Sequence, residues 1–208
     1  MGDSEDRQTC LYSQDMVATA EGSPRDRLLA AASELFYERG VHTVGIDTII
    51  ERAAVAKASL YNRFGSKDGL VRAYLETRHE ARRARLTAEI ERHQDPKERL
   101  LAIFDVLAAT VAQPGFHGCA FANAVAESER DSAAADVTRG VRRWLLDTMF
   151  ELTTALGAAD PAGLARQLTL LYDGALAQSR LDPTPAAAEA AKGAANALVD
   201  AALRAGAR

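Results

Sequence analysis

Cysteine is nearly absent from this sequence: two residues, Cys10 and Cys119, in 208. Cys10 lies in a polar start and Cys119 in a stretch whose apolar pattern predicts helix, so a disulfide framework is excluded and a reducing compartment fits. Long apolar runs are missing too. None approaches the roughly 18 residues a membrane span needs, and the acidic opening MGDSEDRQTC has neither the basic nor the apolar part of a signal peptide. The expectation is a cytoplasmic protein with no membrane partner. Histidine is equally sparse. His117 and Cys119 stand two apart, but no further His or Cys lies near them, and His42, His79 and His93 are isolated. A metal needs three or four ligands. No metal site, cofactor or catalytic cluster is therefore expected, and the chain is not read as an enzyme. Aromatics make up 6% of the residues and prolines number six, while Ala, Leu, Arg and Glu abound. That composition favours helix over sheet and predicts an all-α fold.

The formal charge of -4 argues against a polyanionic partner only if it is spread evenly, and it is not. Residues 1–23 hold one basic and five acidic side chains, residues 24–93 hold 13 and 10, and the remainder holds 11 and 14. The middle piece can meet an anion while the rest stays acidic.

Residues 1–22 show no helical period and read as a flexible arm. Ser23 then offers a cap, with Pro24 at the first helical position and Asp26 three residues after the cap. Leu28, Leu29, Ala32, Leu35 and Phe36 recur at helical spacing until Gly40. A short helix starting near Gly45 puts Ile46, Ile49, Ile50 and Ala53 on one face. Another runs from about Lys57 to Phe64, burying Leu60 and Phe64, and Gly65 ends it. Ser66 caps a longer helix that turns heavily charged through RHEARRARLTAEIERH. Asp95–Pro96 and Asp160–Pro161 repeat the cap-then-proline signal, and the later helices are predicted over 96–112, 117–129, 134–156, 161–180 and 185–205.

Within this order the stretch VAKASLYNRFGSKDGL concentrates Lys57, Ser59, Tyr61, Asn62, Arg63 and Lys67. Two short helices joined by a tight turn, the second amphipathic, make a helix-turn-helix, motif about 45–64, and such a second helix lies in the DNA major groove. Lys57 can donate to guanine O6 or N7, Asn62 matches the adenine edge, and Ala58 permits close approach or touches a thymine methyl. Ser59, Tyr61 and Arg63 can reach phosphates, and Lys67 adds a cation where the amides opening the next helix also favour an anion. A short amphipathic helix with scattered polar groups is, on spacing alone, more often a solvated surface.

The segment TVGIDTIIERAAVAKASLYNRFGSKDGLVRAYL, preceded by LLAAASELFYERG, resembles the DNA-binding part of the TetR family of bacterial transcriptional regulators, and SLYNRFGSKDGL is its most specific element. GCAFANAVAE and LYDGALAQSRLD resemble later segments of a TetR subgroup. The resemblance implies a homodimeric repressor: a three-helix helix-turn-helix DNA-binding domain over 23–75, and a helical effector-binding and dimerisation domain over 76–208. It puts Lys57, Ala58, Ser59, Tyr61, Asn62, Arg63 and Lys67 at the family's DNA contacts, and Thr43, Gly45, Ile46 and Asp47 at the entrance of its second helix. Two positions depart from the family. Ala54 replaces the usual Gly where the chain leaves the second helix, so a left-handed conformation there would cost about 1 kcal/mol or more. Ala56 replaces the usual capping Ser, losing a bond of about 1 kcal/mol.

The resemblance also implies a cavity for a small-molecule effector among the later helices. Phe104, Leu107, Phe121, Trp144 and Met149 are the apolar candidates to line it, and His79, Asn123, Thr148, Tyr172 and Gln178 the candidates to orient a ligand. Each apolar residue taken singly is more often packed core. In the last two helices, AAAEAAKGAANALVDAAL and LARQLTLLYDGALAQ, small residues at three- and four-residue spacing let helices approach closely. With the resemblance, they are expected to form a four-helix dimer interface. Such a dimer reads a palindromic operator, and an effector that fits only a wider arrangement releases it. The alternative is a helical ligand-binding or protein-interaction protein without sequence-specific DNA binding.

Overall fold

The computed structural model describes residues 22–206, and the arm predicted over 1–22 lies almost wholly outside them. Among the described residues every regular element is a helix: α1 (Pro24–Arg39), α2 (Ile46–Ala53), α3 (Lys57–Phe64), α4 (Lys67–Glu91), α5 (Pro96–Val111), α6 (Ala120–Ala126), α7 (Ala133–Ala155), α8 (Pro161–Leu181) and α9 (Ala186–Gly206). None of them is long and apolar enough to cross a membrane.

The predicted caps form. Ser23 Oγ accepts from Asp26 N at 3.3 Å, and its hydroxyl donates to the Asp26 carboxylate at 2.7 Å, so Asp26 holds the cap's side chain. Asp95 accepts from the amides of Lys97 and Glu98 at 2.9 and 3.0 Å, and Asp160 from that of Gly163 at 2.8 Å. Ser66 accepts from Gly69 N at 3.0 Å. Two expectations shift. The helix predicted over 117–129 is only α6, and Cys119, expected inside it, lies just before its start, next to Gly118 at φ 88°. Phe64 is half-buried rather than buried, with the Arg25 guanidinium over its ring at 5.6 Å.

The structure divides into two compact units. One comprises the described residues up to Glu76 together with Asn123–Ala135; the other comprises Thr77–Ala122 and the residues from Asp136 onward. In the first unit, Leu28, Leu35 and Phe36 of α1, Ile49 and Ala53 of α2, Leu60 of α3, and Leu70, Tyr74 and Leu75 of α4 are buried. Phe36 and Tyr74 meet as a tilted ring pair, centroids 5.6 Å apart. Arg52 closes α2 onto α1 by donating to both carboxylate oxygens of Glu34, at 2.8 and 3.0 Å.

Residues 123–135 belong with this unit through two carboxylates. Glu127 accepts from the backbone N–H of His42 at 2.9 Å, in the turn between α1 and α2. It also lies against Gly40, where an added Cβ would meet its carboxylate oxygens at 2.5 Å and displace them from His42; the φ of 89° is what calls for glycine there. Asp68 accepts from Ala133 N at 3.2 and 3.3 Å, satisfying an orphan donor at the start of α7.

The second unit has its core where α5, α8 and α9 pack. It is built from Leu100, Ile103, Phe104 and Leu107 of α5, Leu145 and Met149 of α7, Leu168 and Tyr172 of α8, and Ala188, Ala195 and Val199 of α9.

Candidate nucleic-acid interface and effector site

The turn between α2 and α3 carries both strains read from the sequence. Ala54 stands in the left-handed region at φ 52°, ψ 51°, so the cost is borne rather than avoided, and Ala56 caps α3 with no side-chain bond. What compensates is Leu60, 0% exposed, which fixes α3 against the unit. A fully buried leucine contributes about 1.5–3 kcal/mol, more than either defect costs.

With Leu60 turned in, the opposite flank of α3 faces solvent: Lys57, Ala58, Tyr61, Asn62 and Arg63 are exposed, Tyr61 at 45%, and Ser59 is half-buried. Lys57, Ala58, Tyr61 and Asn62 follow helical spacing and share one stripe. At the start of α2, Thr43, Gly45 and Asp47 are exposed and Ile46 is half-buried. Two candidate residues touch each other, since Lys57 Nζ donates to Asp47 Oδ1 at 3.0 Å. That bond and the carboxylate's charge raise the Lys57 pKa above the ordinary lysine value.

Lys67 is placed differently from a free phosphate grip. It is half-buried and its Nζ donates to the carbonyl of His42 at 3.3 Å. Burial pulls its pKa down, while the nearby Glu127 carboxylate pushes it up. Lys67 and Glu127 thus hold the same α1–α2 turn, one at its carbonyl and one at its amide. Sequence reasoning missed Glu127, whose partner lies 85 positions away.

Of the residues expected to meet an effector, several gather in the second unit. The His79 imidazole meets the Trp144 ring at 5.3 Å and the Phe121 ring at 6.4 Å between centroids, both edge-on, and Phe104 and Tyr172 pair at 6.2 Å. Leu107 and Met149 are fully buried in the core. Others stand apart. Gln178 is exposed, the Thr148 hydroxyl donates back to the Trp144 carbonyl at 2.9 Å, and Asn123 folds with the first unit. Two cations that were not singled out join the rings: the Arg82 guanidinium lies 5.1 Å from the Tyr172 ring centre and 5.9 Å from that of Phe121, and Arg83 lies 5.7 Å from that of Trp144. Their signal was available, because residues 79, 82 and 83 are spaced to share one helical face. Burial and the positive charges of Arg83 and Arg82 push the His79 pKa below its ordinary value, against the opposing pull of Glu80.

A helix-turn-helix unit with an exposed polar recognition face, joined to a separate helical unit, is the architecture of a DNA-binding transcriptional regulator. Residues 28–74 match the family model described as bacterial regulatory proteins, tetR family. The solved structure of a TetR-family transcriptional regulator from Streptomyces coelicolor superposes with a TM-score of 0.81 at 35% identity, covering 86% of this chain and 95% of that one. The chain belongs to the TetR family. Among curated relatives, the HTH-type transcriptional activator FasR of Mycolicibacterium smegmatis is 50% identical over 52 residues, 25% of this chain and 24% of that protein. The HTH-type transcriptional regulator TtgR of Pseudomonas putida is 30% identical over 129 residues, 56% of this chain and 61% of that protein. The chain thus spans less than two thirds of the length of either.

Proposed function

We propose that this TetR-family regulator is a homodimeric repressor that occupies a palindromic operator and leaves it when a small molecule binds its second unit. The observation that carries the DNA half is the α3 flank of Lys57, Ala58, Tyr61 and Asn62, exposed while Leu60 anchors the helix from behind. Lys57 and Asn62 read base edges, and Tyr61 and Arg63 grip phosphates.

Support for the dimer comes from α8 and α9. The exposed stripe of α9 contains Ala190, Gly193, Ala194, Ala197 and Ala201, with no charge among them. On α8, Leu170 is 70% exposed and Leu181 81%, in line with the exposed Gly174 and Ala177. Uncharged faces of this kind on neighbouring helices suit a symmetric four-helix contact. Two recognition helices then fall about one DNA turn apart, roughly 34–36 Å, and call for a palindrome. Repression follows if occupancy of that site excludes the polymerase. The aromatic group around His79 and Trp144 supports an effector site, and α4, which runs unbroken from one unit into the other, supplies the means of coupling.

Gel shift with the DNA upstream of the protein's own gene tests the central claim. Tight, salt-sensitive and sequence-selective binding is expected, and Lys57→Ala with Tyr61→Ala should weaken it at least tenfold. Undiminished selective binding by that double variant refutes the contact assignment. Transcription from the same DNA should fall when the protein is added, and a rise refutes repression.

A further inference from the structure

The chain ahead of α1 is opposite in charge to the face it joins. Residues 1–21 carry Asp3, Glu5, Asp6, Asp15 and Glu21 against the single cation Arg7. Such a segment does not favour DNA, because its net charge repels phosphates. It enters α1 through Gly22 and Ser23, and the start of α1 lies against the end of the recognition helix: the Arg25 guanidinium covers the Phe64 ring at 5.6 Å. Arg25 and its neighbour across that contact, Arg63, are both exposed. Neither forms an ion pair with a described residue.

The other cations around the recognition helix are occupied. Lys57 Nζ donates to Asp47, the Arg52 guanidinium to Glu34 and Lys67 Nζ to the carbonyl of His42. Arg39 has no acidic partner among the described residues either, but it closes α1, about 21 Å along the helix from Arg25. Arg25 and Arg63 are therefore the open cations closest to where the acidic segment is attached. An extended chain spans at most about 3.6 Å per residue, which keeps Glu21 within about 7 Å of Ser23 and Asp15 within about 29 Å. So short a tether makes their encounter with the two guanidiniums intramolecular. Water alone can satisfy exposed arginines, but here it must compete with tethered carboxylates. DNA phosphate must compete with them as well.

We infer that the acidic residues of segment 1–21 occupy Arg25 and Arg63 when DNA is absent, so that the chain carries its own competitor for the phosphate backbone. This rests on the reading that the α3 flank meets DNA. One exposed ion pair is worth at most about a factor of five, and two of them restrain binding roughly three- to twentyfold. The restraint is strongest at low salt and fades as the Debye length shrinks.

The test uses the full chain with Asp3→Asn, Glu5→Gln, Asp6→Asn, Asp15→Asn and Glu21→Gln together, which keeps its length and removes the five negative charges. Without DNA, the backbone amides of Arg63 and Gly65, remote in sequence from the changes, should resonate at different shifts in wild type and variant at about 0.1 M salt and coincide at about 1 M. In anisotropy titrations the variant should bind duplex roughly three- to twentyfold more tightly than wild type at the lower salt, with the gap closing as salt rises. Arg25→Gln with Arg63→Gln, introduced into both proteins, should remove most of that gap. A gap that persists there undiminished means that the segment repels DNA at a distance, and overturns the seat on the two arginines; amides that do not move overturn it too. Amides that move while both proteins bind duplex equally overturn the restraint. Failure of both proteins to bind any duplex overturns the DNA reading of α3, a result that the DNA-free amide shifts distinguish from failure of the seat.

Discussion

Asp47 carries the wrong sign for a surface that meets phosphates, and it holds the ammonium of Lys57, the residue that leads the recognition helix. Both groups are largely solvent-exposed, so the pair adds little to folding; its consequence falls on DNA binding. If Lys57 meets DNA as proposed, it must exchange the Asp47 carboxylate for a base edge or phosphate that is well placed, and an arbitrary phosphate is a poor replacement. On that assignment Asp47 penalises non-specific contact. Asp47→Asn keeps the side-chain shape and removes the charge. It should tighten binding to unrelated duplex several-fold more than binding to the operator, and steepen the dependence of log K on log salt by about 1, the increment for one more neutralised phosphate. Fluorescence anisotropy with both duplexes over a range of salt measures this, and an unchanged slope counts against a restraining role.

At the scale of elements, the α2–α3 turn carries two local costs in the DNA-binding unit, a left-handed alanine and an uncapped helix start. Ala54 at φ 52° bears a steric cost that glycine does not. Ala54→Gly should therefore raise the unit's stability by up to about 1 kcal/mol, the excess being trimmed by glycine's greater freedom when unfolded. Chemical denaturation checks the sign, and a loss of stability would mean that the alanine methyl contributes more by packing than it costs in strain. Ala54 and Ala56 were legible because they are local: a family position fixes the backbone and the side chain fixes the penalty. The caps at Ser23, Ser66, Asp95 and Asp160 were legible for the same reason, each lying within three residues of the amide it serves. The clasp of Glu127 on the α1–α2 turn was not, since no rule of spacing links positions 42 and 127. Nor could periodicity show that Lys67 would spend its ammonium on the carbonyl of His42. Around His79 the sequence supplied the rings but not the choice among polar neighbours. Thr148 is turned back onto its own helix and Gln178 faces water, while Arg82 and Arg83, read only as part of a charged run, lie on the rings.

For the whole molecule, the proposed homodimer makes the central quantity how strongly one protomer holds another, because a single recognition helix reads too few base pairs to select a site. Joining two of them makes the second docking intramolecular and multiplies affinity by about 10²–10⁴ without any new contact to DNA. On the proposed pairing that gain depends on the stripes Leu170–Leu181 of α8 and Ala190–Ala201 of α9, whose exposed members Leu170, Gly174, Ala177, Leu181, Ala190, Gly193, Ala194, Ala197 and Ala201 carry no charge. A glutamate in the middle of such a stripe must be buried against its symmetric copy when two protomers meet, which places two like charges together in a dry interface. In the separate protomer it stays in water on an exposed helix face and is nearly neutral to folding. Ala194→Glu on α9, and independently Leu170→Glu on α8, should thus leave the helical circular dichroism unchanged and convert the protein to monomers in sedimentation at micromolar concentration. Operator affinity should fall by about two orders of magnitude or more in step, since the loss is that of effective concentration alone. A variant that stays dimeric and holds the operator as tightly as before would remove its helix from the interface, and if both do so the pairing of protomers must be sought on another face.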